Sequence, residues 1–210
     1  MRKYLLIILS FIWVMPLSAQ NSAEKLLKKT VSKLEKDGGI SMSLDAEIKN
    51  DDNTDRIDLV LKMSGTCFLV EEDDNLMWFD GKTLWRGNDF GNGIEEIYIT
   101  EPTQDEKARY DIISLLSKHQ GFSVSGNGTD TFVLTASNSE RSVEGIRTVA
   151  VKVDPKTYVL KTIDVVFAQE LGNISATVTV NEYNPDQKFD NKVFTCPVKE
   201  YKDAEIIDLR

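Results

Sequence analysis

Histidine, cysteine and positive charge are all scarce in this 210-residue chain, and each shortage excludes something. The one histidine, His119, stands at the end of a predicted helix, where a capping or surface role is the simplest reading. It leaves no set of imidazoles for a metal centre or a proton relay. No Gly-x-Ser-x-Gly elbow, phosphate-cradling glycine loop or paired metal-ligand motif appears. A glycosidase-like carboxylate pair such as Asp58 and Glu71 can be drawn, but nothing in the pattern marks either as buried. We therefore expect no catalytic residues, no metal and no cofactor. Lys and Arg number 25 against 34 Asp and Glu, a formal charge of −9, which argues against nucleic acid and against electrostatic docking on anionic lipid. The acidic runs Asp51-Asp52 and Glu71-Glu72-Asp73-Asp74 lack the spacing of an EF-hand loop and read as solvated connections. Cys67 and Cys196 lie far apart within apolar strand patterns, which leaves open both one bridge and two buried thiols.

The N-terminus has the marks of an export signal. Arg2 and Lys3 precede an apolar run from Tyr4 to Met15, then the breaker Pro16 and the small residues Ser18 and Ala19. This predicts a signal peptide over 1–20, cleaved after Ala19 or Gln20, and a single mature domain over 21–210. Losing Arg2 and Lys3 takes the charge to −9 − 2 = −11. No cysteine sits near the cleavage site to carry a lipid anchor, and no later segment approaches ~20 apolar residues. The mature chain is expected to be exported, water-soluble and monomeric.

Hydrophobic periodicity organises the rest. Leu26, Leu27, Val31 and Leu34 recur at helical spacing over Ser22–Lys36, and Gly38-Gly39 ends that helix. From Ile40 the period drops to two: Met42, Leu44, Ala46 and Ile48 alternate with Ser41, Ser43, Asp45 and Glu47. A turn at 51–53 leads to a second alternating strand through Ile57, Leu59, Leu61 and Met63. Short strands follow at 65–70, 76–79, 84–85 and 94–100. A second helix is predicted over Asp105–Lys118, with Ile112, Ile113, Leu115 and Leu116 apolar. Strands return at 122–125, 131–136, 146–153, 158–167 and 174–183, and a short run at 206–209 closes the chain. No repeat or low-complexity linker interrupts this pattern.

The densest feature is Trp78-Phe79-Asp80-Gly81-Lys82-Thr83-Leu84-Trp85, a turn candidate walled by large side chains. Asp80-Gly81 suits a two-residue type I′ hairpin. Its aromatics fit ordinary β-core packing or the wall of an apolar cavity. Many short strands with surplus apolar area suggest an incomplete barrel, open to a lipid or another greasy ligand. The expected lining is Leu59, Leu61, Phe68, Trp78, Leu84 and Trp85 from the sheet, with Ile112, Leu115 and Leu116 from a covering helix.

The signal, the amphipathic helix, two strands and then Asp80-Gly81-Lys82-Thr83-Leu84-Trp85 resemble the periplasmic outer-membrane lipoprotein carrier family, LolA. The strands Phe132-Val133-Leu134-Thr135 and Phe194-Thr195 match more loosely. The closing Glu205-Ile206-Ile207-Asp208-Leu209-Arg210 looks like the ending of carrier-like proteins from Bacteroidota. The resemblance implies a mainly β fold, an unclosed antiparallel β-barrel covered by α-helices, and a periplasmic carrier rather than an enzyme. Its cavity would accept acyl chains of lipoproteins released by an inner-membrane transporter and deliver them to an outer-membrane receptor. A sensor or carrier of the same fold for another apolar ligand is the alternative; a small secreted hydrolase is a weaker one. Family members carry a basic residue followed by proline before the aromatic strand; here Lys62-Met63-Ser64-Gly65-Thr66-Cys67-Phe68 has neither proline nor arginine.

Overall fold

The structure is a computed structural model that describes residues 15–72, 75–91, 93–103, 116, 121–137, 145–168 and 173–210. Helix α1 runs Met15–Lys36. The strands are β1 Gly39–Lys49, β2 Thr54–Ser64, β3 Cys67–Glu72, β4 Asn75–Phe79, β5 Leu84–Asp89 and β6 Ile94–Thr100. After them come β7 Phe122–Ser125, β8 Thr131–Ala136, β9 Ile146–Val153, β10 Leu160–Phe167, β11 Ser175–Gln187 and β12 Glu205–Asp208. They hydrogen-bond in the order β12-β6-β5-β4-β3-β2-β1-β11-β10-β9-β8-β7, so the sheet is unclosed, with β12 and β7 as its two edges. Mainly β with a helix, this is the fold class the alternating pattern predicts. One pairing departs from the antiparallel expectation: β12 runs parallel to β6, with Ile206 opposite Ile97. The predicted helix over 105–118, and with it Ile112 and Leu115, lies outside the described residues except for Leu116.

Two compact units divide the chain, interleaved in sequence. The first holds the chain through Lys33, Ile48–Asn53 and Leu116–Thr177. Ala23, Leu26, Leu27, Thr30 and Val31 form the buried stripe of α1, recurring at the three- and four-residue steps that put side chains on one helical face. Thr30 satisfies its buried hydroxyl by donating to the Leu26 carbonyl at 3.0 Å. The helix starts earlier than the predicted Ser22. Pro16 is its second described residue, a first-turn position where the missing N–H costs nothing. Val124, Leu134 and Val149 are buried partners across β7, β8 and β9. Leu116 is also buried in this unit. Lys29 donates to the Tyr158 hydroxyl at 2.9 Å, with its Nζ 4.8 Å from the ring centroid.

The second unit comprises Leu34–Glu47, Thr54–Leu115 and Val178–Arg210. Ile40, Met42, Leu44 and Ala46 are buried while Asp45 is exposed, as the alternation predicts. Gly38 takes the left-handed conformation after α1 (φ +64°), and Gly39 serves a different need. A Cβ at Gly39 would collide with the Gln187 carbonyl at the end of β11. The same junction is tied by Tyr183, whose hydroxyl donates to Asp37 Oδ2 at 2.6 Å, and by Asp186 N–H donating to the Asp37 carbonyl at 3.0 Å.

The hairpin at Asp80 is not a two-residue type I′ turn. Phe79 and Leu84 are the last paired residues, so residues 80–83 form a four-residue loop. Within that loop Gly81 alone has positive φ, at +93°. Asp80 Oδ1 accepts from the N–H groups of Lys82 (2.9 Å) and Thr83 (2.7 Å), and the Asp80 N–H donates to the Thr83 carbonyl at 3.3 Å, so the aspartate side chain and the backbone close the turn together. Asn50, Asp89, Asn127, Asp154 and Asp190 accept from nearby backbone N–H groups in the same manner. Part of the acidic composition is thus turn chemistry.

Candidate functional site

Strand register in the second unit sorts the side chains into two faces, because directly paired residues project to the same side. On one face, the row Met63–Phe68–Phe79–Leu84–Thr100 crosses β2 to β6. Its first four members are buried, and the Phe68 and Phe79 rings lie 5.3 Å apart. The next row on that face is Leu61–Val70–Met77–Arg86–Tyr98–Ile207, continuing onto β12. Its apolar members Leu61, Val70, Met77 and Ile207 are only partly buried, and Arg86 is exposed. The third row, Leu59–Glu72–Asn75–Asn88–Glu96–Glu205, is polar and acidic apart from Leu59. The face therefore grades from dry core through an apolar shelf to a wet acidic rim.

The opposite face carries Leu69, Trp78, Trp85, Ile97 and Ile99, and they pack with Phe194 and Cys196 from the C-terminal segment. Phe189, Val193, Val198 and Tyr201 complete this cluster, with the Trp78 and Tyr201 rings 6.1 Å apart. The expected Phe194-Thr195 strand is instead the end of a 3₁₀ turn, Asn191–Phe194, capped by Asp190. The turn places Phe194 as a plug on the tryptophan face.

The predicted cavity residues accordingly do not share one wall. Leu59, Leu61, Phe68 and Leu84 lie on the graded face; Trp78 and Trp85 belong to the covered core on the other side. Chain neighbours on a strand face opposite ways, so a list holding both Leu84 and Trp85 mixes the two sides. Sequence reasoning missed Met63, Val70, Met77 and Phe79 on the graded face. The parity of the pattern, traced from Leu61 through each turn, contains that signal. Lys62 projects to the tryptophan side, where it pairs with Glu71 at 2.9 Å, whereas Arg86 is a base on the graded face.

A cavity of about 650 Å³ opens on the graded face. Leu84, Arg86 and Asn88 of β5 and Tyr98 and Thr100 of β6 line it, at alternate positions of each strand. Glu101 also borders it and is held by Lys82 at 3.1 Å; Arg210, at the other side, is held by Asp208 at 2.6 Å. That pairing keeps the Asp208 carboxyl at about 2, first through the Arg210 side chain and then through its backbone N–H. The Tyr98 hydroxyl donates to Glu96 at 2.9 Å, which raises its pKa. This mixture of guanidinium, hydroxyl and amide donors beside apolar surface can hold and orient a ligand. Among the described residues that line it there is no histidine and no thiol.

A profile of the family described as outer membrane lipoprotein carrier protein LolA matches residues 17–169, well over half of the chain. The chain belongs to the LolA family. Among solved structures it is similar to an uncharacterized conserved protein from Thermus thermophilus, at 13% identity and a TM-score of 0.54, covering 89% of this chain and 99% of that one. It is also similar to a LolA superfamily protein from Nitrosomonas europaea, at 10% identity and a TM-score of 0.44, over 84% and 98% of the two chains. No curated protein matches it. Among the described residues of this LolA-family chain, no helix is long and apolar enough to cross a membrane, and no three His, Cys, Asp or Glu side chains gather to hold a metal.

Both cysteines of the LolA-family chain are free thiols of the second unit. Burial pushes the Cys196 thiol up to about 12, and burial together with the Asp80 charge raises that of Cys67. Both are poor nucleophiles at neutral pH.

Proposed function

We propose that the chain is a periplasmic carrier that shields lipoprotein acyl chains from water on the graded face of its second unit. The observation that carries this reading is the row Leu61–Val70–Met77, apolar yet only partly buried, beside the buried Phe68, Phe79 and Leu84. An acyl chain laid on that shelf removes its own methylenes and these side chains from water together. At ~0.8 kcal/mol per methylene, a dozen buried methylenes give on the order of 10 kcal/mol, enough to hold a cargo and small enough to yield to a stronger acceptor. Leu59, Leu61, Phe68 and Leu84 are kept as ligand-binding residues. Trp78 and Trp85 are reassigned to the core behind the sheet. Residues 1–20 are an export signal under this reading, an inner-membrane transporter loads the carrier, and an outer-membrane receptor unloads it. No chemistry on the cargo is required.

The test is mass spectrometry of material that co-purifies with the tagged protein from the periplasm. Acylated lipoprotein is the expected companion, and its amount should fall sharply in the folded Leu61→Glu variant, because a charge on the shelf would have to be buried by the cargo. Purification with no acylated species, or unchanged recovery with Leu61→Glu, would contradict the proposal.

A further inference from the structure

A net charge of −9 conceals an uneven distribution. Among the described residues, the first unit has nine lysines and arginines against six aspartates and glutamates, a net of +3. The second has ten against twenty, a net of −10. The excess in the first unit is concentrated on α1. Lys25, Lys28, Lys29 and Lys33 recur at three- and four-residue steps, on the face opposite the buried Leu26, Leu27, Thr30 and Val31. Lys25, Lys28 and Lys29 are exposed, and Glu24 is the one acid between Ser22 and Lys33. An amphipathic helix needs a polar outer face, but contact with water does not require one sign of charge. The pairs Lys25–Lys29 and Lys29–Lys33 even stand four residues apart, where like charges destabilise a helix. Lys29 is held by a neutral group, the Tyr158 hydroxyl at 2.9 Å, with the ring centroid 4.8 Å from its Nζ. Its position is therefore fixed without its charge being cancelled. Tyr158 follows the β9–β10 turn, where Asp154 is answered by Lys161 at 3.2 Å and Lys156 is exposed. Helix and turn thus present one basic surface.

We propose that this surface docks the protein reversibly on an anionic phospholipid bilayer. The lysines extend about 12 Å along the helix, and Ser32, the other residue among them on that face, is small and polar. Such a surface has no concavity to select one protein side chain, whereas mobile headgroups can gather beneath flexible lysine stems. With no apolar side chain on that face to insert, attachment is electrostatic, so it forms quickly and yields to salt. The overall negative charge does not forbid this, because at physiological salt a bilayer responds mainly to the charges that touch it. The inference is independent of the acyl-binding reading, since every residue named belongs to the first unit.

The experiment is co-sedimentation of the intact, cargo-free mature protein with vesicles of phosphatidylcholine, either alone or with about one-third phosphatidylglycerol. Binding is expected to the anionic vesicles only, at about 0.1 M salt, and should fall steeply at about 0.5 M. The double variant Lys25→Gln, Lys28→Gln should lower the partition coefficient about tenfold or more, at roughly fivefold per base. Glutamine matches lysine in helix propensity, so circular dichroism should show an unchanged fold. Lys192→Gln with Lys199→Gln removes the same charge from exposed positions of the second unit and should bind nearly as well as wild type. Equal binding to neutral vesicles, no binding to anionic ones, or an equal loss in both double variants would overturn the inference. An absence of vesicle binding, with Lys25 and Lys28 still needed for loading from whole inner membranes, would overturn it in favour of an acidic protein face.

Discussion

Trp78 and Trp85 are direct partners across β4 and β5, and both lie in the cluster that Phe194 and Cys196 complete from the C-terminal segment. Their chain neighbours Phe79 and Leu84 are likewise partners, but on the other face. The aromatic hairpin therefore serves two cores at once. Its tryptophans anchor the C-terminal segment to the back of the sheet, which leaves the front for the apolar shelf.

Removing the plug should separate those two roles. Phe194 is 2% exposed, and Phe194→Ala should cost about 3–5 kcal/mol, as for a large core side chain that leaves a cavity. Urea unfolding followed by tryptophan emission measures this, with a red-shifted native spectrum as Trp78 and Trp85 gain water. The fraction that remains folded should still bind acyl ligand, because the lost contact is on the opposite face.

The end of α1 depends on a charge-assisted hydrogen bond. Tyr183 donates to Asp37 at 2.6 Å, and Asp37 is 5% exposed. Burial, followed by the hydrogen bond to Asp37 and the Asp37 charge, holds the Tyr183 hydroxyl far above its ordinary pKa, so it stays a donor at any physiological pH. Tyr183→Phe removes that donor from a buried carboxylate and should destabilise the protein by about 1.5–3 kcal/mol, read from the urea midpoint. A loss under about half a kcal/mol would show that other contacts of Asp37 suffice.

Acid should weaken the turn between β9 and β10. Backbone N–H groups of Thr157 and then Lys156, followed by Lys161, hold the Asp154 carboxyl well below the ordinary carboxylate range. A depressed folded pKa means that the stabilisation is fully present above the unfolded value of ~3.9 and is lost as pH falls below it. Asp154→Ala should therefore be less stable than wild type at about pH 7, and the gap should narrow between about pH 4 and pH 2. A gap that stays constant over that range would rule out the carboxylate as its source.

Much of this molecule is legible in the sequence because single-residue alternation and helical spacing are local properties. Three strands, Phe122–Ser125, Thr131–Ala136 and Ile146–Val153, fall where the pattern places them, and α1 ends at Lys36 as the double glycine dictates. What the pattern could not supply is pairing. The parallel β6–β12 contact joins residues about a hundred positions apart, and nothing local announces it. The site suffers from the same limit. Apolar character marks Trp78 and Leu84 equally, but only the contact with Phe194 tells which of them lies behind the sheet. Arg86 is invisible for a related reason, since an arginine on a strand gains meaning only from the cross-strand row in which it stands, between Met77 and Tyr98. The Asp80 loop escapes through side-chain chemistry: an aspartate that caps two N–H groups allows four residues where the dipeptide alone suggests two.

The central claim is that one face of this sheet holds acyl cargo and the other does not. The decisive measurement is recovery of a tagged, acylated lipoprotein by two single-residue variants, each checked for native folding by circular dichroism. Val70→Glu places a charge on the shelf, and Val60→Glu places one on the opposite face of the same pair of strands. The account predicts that the Val70 variant loses most of the cargo and the Val60 variant retains it. Equal recovery by both, or loss confined to the Val60 variant, would contradict it.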